Sequence, residues 1–234
     1  MLTCPTVKLF PVALRIIPAW SLSADALKEG VNFLSLCPIS GHLEVNLVIN
    51  DSLKGSFKTS HRGSIVLDHG ELPPSFSGTV YAKQLYFADP GKSGLRRYDG
   101  SKEQALIHAE GLCLDWAVLL LDLTYSFIED FQTKHGNFPG IIPHLCFVEA
   151  AVAECRSENK YFLIEECINT SKTPFTKYIH NGLPVPIIPR DAPTEVLNTA
   201  NFLCFAQHVQ FQVTGGMVYT SDYQGMFIIT GYVQ

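Results

Sequence analysis

Between Lys102 and Lys134 the chain contains no proline and a single glycine, Gly111. Within this run Leu106, Ala109, Leu112, Trp116, Leu119, Leu120 and Leu123 recur at three- and four-residue steps, the signature of a helix with one broad apolar face. Asp99-Gly100-Ser101 offers caps before it, and His135-Gly136-Asn137-Phe138-Pro139-Gly140 ends it. A helix of this length needs something large to pack against, and the flanking segments say what: they read as strands. His42 to Ile49 alternates and then turns apolar, and Gly78 to Phe87 is rich in aromatic and β-branched residues. Lys54 to Thr59 and Ser64 to Leu67 read as two arms of a turn through His61-Arg62-Gly63. After the helix, Cys146 to Ala153 and Tyr161 to Ile168 read as strands joined by the polar turn Arg156 to Lys160.

A proline-rich loop follows, with Pro184, Pro186, Pro189 and Pro193. A second helix opens at Thr194-Glu195-Val196-Leu197 and reaches roughly His208. Phe211 to Val213, Met217 to Thr220 and Met226 to Thr230 are expected as the last strands. Strands, one long helix, a strand pair, a second helix and more strands make an α+β order, not an alternating parallel sheet. Residues 1–40, short apolar stretches broken by Pro and Gly, receive no assignment.

The composition sets bounds. With 234 residues, 47% hydrophobic and 17% charged, the chain has enough material for one large core or two lobes. A net charge of −5 with scattered Lys and Arg argues against a nucleic-acid surface. The cysteines, at 4, 37, 113, 146, 155, 167 and 204, are odd in number and widely spaced, which points to free thiols in a reducing compartment. No CxxC or zinc-finger spacing occurs. The apolar stretch Leu9 to Trp20 is interrupted by Pro11, Arg15 and Pro18, so neither a membrane span nor a signal peptide is expected, and a cytoplasmic location follows.

Four constellations can carry chemistry. In Gly216 to Gly225, an apolar run delivers Asp222 and Gln224, two residues apart, to Gly225. On extended backbone they share a side, where a carboxylate and an amide oxygen suit a hard cation and the glycine allows close approach of a phosphate. Lys54-Gly55-Ser56-Phe57-Lys58-Thr59-Ser60 is a small-residue turn whose backbone N–H groups and lysines suit phosphate. Lys83 lies on an apolar strand, where an ammonium needs a partner. That partner is expected to be a phosphate chain or a helix carboxylate, Glu110 first and Glu103 second. Glu165, with Glu166 as the alternative, ends an apolar strand where a carboxylate can reach a base edge.

These four elements, in this order, resemble those of the alpha-kinases. The turn resembles the Gly-x-Phe-basic phosphate loop, Lys83 the Val-x-Lys strand, and Glu165 the hinge strand. Phe175-Thr176-Lys177-Tyr178-Ile179-His180-Asn181-Gly182 is similar to the Lys-Tyr-x-x-Asn-Gly stretch, and Asp222-Tyr223-Gln224-Gly225 to the Asp-x-Gln-Gly element. The resemblance implies a two-lobed protein-kinase-like fold, with an N-terminal lobe over 41–165 and a partial C-terminal lobe over 166–234. It implies ATP and Mg²⁺, and phosphorylation of Ser or Thr in a protein substrate, with no nucleic-acid or membrane partner. Lys83 would hold the α/β phosphates, Gly55, Ser56, Phe57 and Lys58 would cover them, and Glu165 would sit at the adenine. Asp222 would orient the hydroxyl or assist the metal, and Gln224 would bind Mg²⁺. His208 falls at the family's histidine and is expected as a core group.

Two departures qualify this expectation. A glycine, Gly231, follows Thr230 where the family has a carboxylate, and the His/Cys zinc module is not in the sequence. The C-terminal lobe is therefore expected to be incomplete. The alternative is a pseudokinase or interaction module that keeps the fold without transferring phosphate.

Overall fold

The computed structural model describes residues 2–11, 38–47, 55–68, 78–88, 94–168 and 175–225. The chain is α+β and divides into two compact units. Of the described residues, the first unit holds 2–11, 38–47, 55–68, 78–88, 94–116 and 147–167, and the second holds 117–146, 168 and 175–225.

The first unit is a closed antiparallel barrel. Its strands are β1 (Leu2–Pro11), β2 (Ile39–Val45), β3 (Lys58–Leu67) and β4 (Thr79–Leu85), then β7 (Ala150–Cys155) and β8 (Lys160–Glu166). They close in the order β1-β2-β3-β4-β8-β7. Two short strands, β5 (Phe87–Ala88) and β6 (Leu95–Arg96), pair beside it. Period-2 alternation fills the interior with Val7, Leu43, Val45, Val80, Phe162 and Ile164, all fully buried. The segment that the sequence left unassigned thus supplies β1, which closes the barrel.

One side of the barrel's outer face is also apolar. Leu85, Val152 and Leu163 cluster there with Ile107 of helix α1 (Gly100–His135). This explains β7, whose six residues are all buried: one face looks into the barrel and the other lies under the helix. Burial on both faces erases alternation in this strand, which begins at Ala150, not at the expected Cys146.

Two further expectations for this unit are corrected. The turn at His61-Arg62-Gly63 does not exist; β3 runs through it. Gly63 is instead needed for strand approach, since a Cβ there would lie 2.6 Å from the Glu44 carbonyl oxygen on β2. In the first unit the buried stripe of α1 passes through Glu103, Ile107, Gly111 and Asp115, while Ala109 is exposed and Leu106, Leu112 and Trp116 are only partly covered. Pattern reading missed this because two acids lie in the stripe.

The second unit contains the rest of α1, where Leu119, Leu120 and Leu123 are buried as expected. The helix's most apolar 18-residue window has a mean hydropathy of 1.5, long and apolar enough to cross a membrane, yet half of that window is buried within the fold. Helix α2 (Thr194–Val213) takes in the segment expected as a strand from Phe211. Small strands β9 (Thr176–Lys177), β10 (Ile179–His180), β11 (Leu183–Pro186) and β12 (Gln224–Gly225) pair as β10-β11 and β9-β12. Met217 to Thr220 is irregular, and Met226 to Thr230 lies outside the described residues. His208 is exposed instead of forming part of the core.

Candidate functional site

In the first unit, strand pairing places the predicted lysines. Ser60 of β3 opposes Lys83 of β4, and Lys58 opposes Leu85. Opposed residues share a face, so both ammonium groups lie on the outer face that meets α1, not in the barrel interior. Each is half-buried and each has a carboxylate. Lys83 is paired with Glu165, and Lys58 with Glu110. The expected assignment of Glu110 to Lys83 is thereby corrected: the helix carboxylate serves Lys58, and Lys83 takes its partner from β8. Register explains this, because Tyr81 opposes Glu165 and puts that carboxylate one step along the face from Lys83.

Gly55, Ser56 and Phe57 form a tight loop before β3. The Gly55 N–H donates to the Lys58 carbonyl at 2.8 Å, and Tyr86 holds the loop through its N–H to the Phe57 carbonyl at 2.9 Å and its hydroxyl to the Gly55 carbonyl. Lys58 Nζ also lies 4.9 Å from the centre of the Phe57 ring, which is 51% exposed. The loop is thus fixed at its base with its tip in solvent. Gly55's own N–H is committed, so phosphate contact would fall to the loop's other donors.

Glu103 has a structural task. It is buried at one end of the barrel, where its carboxylate accepts from Gln84 Nε2 and from the Tyr161 N–H, both at 3.3 Å. Burial pushes its pKa up, partly offset by the Tyr161 hydrogen bond and by Arg97. Arg97 bridges this region: it donates to the Leu85 carbonyl at 3.0 Å and to Thr59 Oγ1 at 2.6 Å, and its Nη2 lies 3.2 Å from His61 Nε2. His61 Nδ1 is 3.2 Å from the Asn46 carbonyl, so the proton belongs on Nδ1 and Nε2 is the acceptor. Burial and then Arg97 hold the His61 pKa down, against the raising effect of the Asn46 hydrogen bond. A cleft of about 380 Å³ lies beside this network, lined by Gln84, Arg97, Glu103 and Lys160 among others.

In the second unit, Asp222 and Gln224 are exposed and Tyr223 between them is buried. Both side chains are thus exposed around a buried residue, but the extended backbone expected through Asp222 is not found. Asp222 has a left-handed backbone, φ 61°, a conformation that Asp tolerates better than most residues. β12 pairs Gln224 with Lys177, whose Nζ lies 2.7 Å from Asp222 Oδ1. The Tyr223 carbonyl accepts from the N–H groups of Tyr178 at 2.9 Å and Ile179 at 3.3 Å. The Lys-Tyr stretch and the Asp-x-Gln-Gly element are thus one local structure.

Among the described residues no group of three His, Cys, Asp or Glu side chains is arranged to hold a metal. The donors at Asp222 and Gln224 nevertheless suit Mg²⁺ in one specific way. This ion is commonly bound through one or two carboxylates plus substrate phosphates and water, not in an all-protein cage. Asp222 is already paired with the Lys177 ammonium, which a metal ion would have to displace or share.

Sequence reasoning gave Lys177 no role, although it sits in the motif quoted for the resemblance. It also missed Arg97 and Gln210, which carry no local signal because their partners lie far along the chain.

No protein-family model and no curated protein matches the sequence. Among solved structures, the chain is similar to alpha-kinase domains. A catalytic-domain mutant of myosin heavy chain kinase A matches at 12% identity with a TM-score of 0.48, covering 94% of this chain and 78% of that one. An inactive alpha-kinase domain of that kinase, in complex with ATP, matches at 11% identity and TM-score 0.47, covering 94% and 79%. The apoenzyme domain of myosin-II heavy chain kinase A gives 11% and 0.45, covering 94% and 78%.

Proposed function

We propose that this chain binds ATP with Mg²⁺ and transfers the γ-phosphoryl group to a Ser or Thr hydroxyl of a protein, in the manner of the alpha-kinases. The observation that carries the reading is Lys83: an ammonium on the outer face of a barrel, ordered by Glu165 on the neighbouring strand. A nucleotide site needs such a positioned cation for the α/β phosphates. Glu165 holds Lys83 while no nucleotide is bound. On binding, the flexible lysine stem exchanges the carboxylate for phosphate, and Glu165 turns to accept a hydrogen bond from the adenine amino group. The Gly55–Lys58 loop covers the phosphates, and Lys58, kept in place by Glu110, adds countercharge.

In the second unit, Asp222 accepts a hydrogen bond from the attacking hydroxyl. As that oxygen bonds to the γ-phosphorus, the β–γ bridging oxygen departs with its electron pair and the hydroxyl proton moves toward the carboxylate. Asp222 and Gln224 would hold Mg²⁺, which would neutralise phosphate charge there. The protein acts in the cytoplasm, and neither nucleic acid nor a membrane is its partner. A second reading, nucleotide binding without transfer, draws on Gly231 in place of the family's carboxylate.

Thermal unfolding with and without Mg·ATP is the test. Saturating Mg·ATP should stabilise the wild type by about 2–4 kcal/mol, as expected for ligand at about 100–1,000 times Kd, and Lys83→Ala should abolish that gain. An absent wild-type response, or an equal response in Lys83→Ala, rejects the proposal. Radiolabel transfer to a generic basic protein then separates the two readings. Binding without transfer, unchanged in Asp222→Ala, selects the non-catalytic one.

A further inference from the structure

The backbone that leads to Asp222 has no strand or helix from Val218 to Tyr223, yet it places Tyr223 inside and Asp222 outside. Backbone pairing with β9 and β10 holds the chain only from Tyr223 onward, so side chains must set the approach from Val218 to Asp222. Three side chains along α2 and its C-cap do so. Gln210 is 0% exposed; its Oε1 accepts the Thr220 N–H at 2.8 Å. Its Nε2 faces three acceptors, the Leu120 carbonyl at 3.1 Å, Thr124 Oγ1 at 3.3 Å and the Tyr223 hydroxyl at 3.4 Å. Gln207 Nε2 donates to the Thr220 carbonyl at 2.9 Å. The Thr214 hydroxyl donates to the Gln210 carbonyl at 2.7 Å and receives the Val218 N–H at 3.3 Å. Positions 207, 210 and 214 follow helical spacing, so one polar stripe replaces the missing strand partner.

Burying a glutamine is unfavourable unless its amide is satisfied, and an apolar side chain of the same size would fill this space without that cost. What the amide adds is position. Without the Gln210 contacts to Thr220 and Tyr223, the approach to Asp222 would be held only at its far end, by the backbone pairing with β9 and β10. We infer that Gln210 is a positioning residue that fixes the approach to Asp222, and with it the place of Asp222 next to Gln224, which β12 holds. The inference rests on the proposed nucleotide role of those two residues, and its test separates the two.

Amide hydrogen exchange with mass spectrometry and NMR, together with Mg·ATP titration, is applied to wild type, Gln210→Met and Gln210→Glu. In the wild type the Thr220 amide should be protected although it lies in irregular backbone. Gln210→Met, close in volume but without donor or acceptor, should accelerate exchange at Thr220 at least tenfold and leave the β8 amides unchanged. It should weaken Mg·ATP about tenfold and leave metal-free ATP affinity unaltered. Gln210→Glu should restore Thr220 protection at pH 5, where the protonated acid supplies both a donor and an acceptor, and restore it less at pH 8.

A Thr220 amide that exchanges in the wild type at the rate of a free peptide overturns the inference, even if neither variant folds. So does unchanged exchange in Gln210→Met, or loosened exchange with full Mg·ATP affinity. Loosened exchange in the variant, with no Mg·ATP response in any protein, supports the positioning role and rejects the nucleotide reading alone.

Discussion

The two units place their candidate residues by different physics. In the first, Lys83 and Glu165 are set by antiparallel pairing of β4 with β8, so backbone hydrogen bonds and side-chain period do the positioning. In the second, Asp222 stands on irregular backbone and depends on buried amide and hydroxyl groups of α2. A ladder is redundant: the loss of one rung leaves its neighbours. A side-chain network concentrates the task in a few atoms, so single substitutions there should matter more for position than for total stability.

The largest test of that contrast lies inside the barrel. Phe162 is fully buried among Val45, Val80 and the other inward residues. Phe162→Ala should cost about 3–5 kcal/mol in denaturant unfolding. If the barrel alone places Lys83, amides of β4 and β8 should lose protection together, as one cooperative set. Independent loosening of β8, with β4 unaffected, would break the comparison. Next in size is Gly63→Ala. Its new Cβ would meet the Glu44 carbonyl oxygen at 2.6 Å and Val45 Cγ2 at 3.3 Å, so β2 and β3 must part, at about 1–3 kcal/mol. Exchange should rise along the β2–β3 rungs from Val45–Gly63 toward Gly41–Leu67. A glycine required only for a turn would leave the rungs near Leu67 intact, and that result would sink the continuous-strand account.

The same contrast decides how much could be read from the sequence. Strand β4 was legible because Val80 and Ala82 alternate with Tyr81 and Lys83, and that alternation also put Lys83 opposite the barrel interior. Partners were not. Lys58 reaches Glu110 and Lys83 reaches Glu165 across long sequence separations: the β4–β8 register gives Lys83 its acid, and the packing of α1 on the barrel gives Lys58 Glu110. β1 was hidden because its partners, β2 and β7, lie on opposite sides of the long helix in the sequence. Gln210 was hidden because a glutamine in a helix looks like a surface residue until its neighbours are known.

The smallest expected effect concerns His61, which sharpens the comparison because the barrel also contains a side-chain network. His61 is 2% exposed, and burial and Arg97 hold its pKa below the ordinary 6.5. The unfolded chain therefore takes up the proton first. Stability from this residue is complete above pH 6.5 and falls as pH drops from 6.5 toward the folded pKa, by at most about 1.4 kcal/mol per pH unit. Glu103 has a raised pKa, so its protonation favours the folded state as pH falls and partly masks the loss. The comparison must therefore be made as a difference. Unfolding free energies of wild type and His61→Gln, measured from pH 7.5 to 5, should diverge in slope below pH 6.5, with the wild type steeper. Parallel slopes would mean that the imidazole accepts its proton equally well in both states. The Arg97–His61 contact would then not constrain the barrel end, and the ladder alone would account for its order.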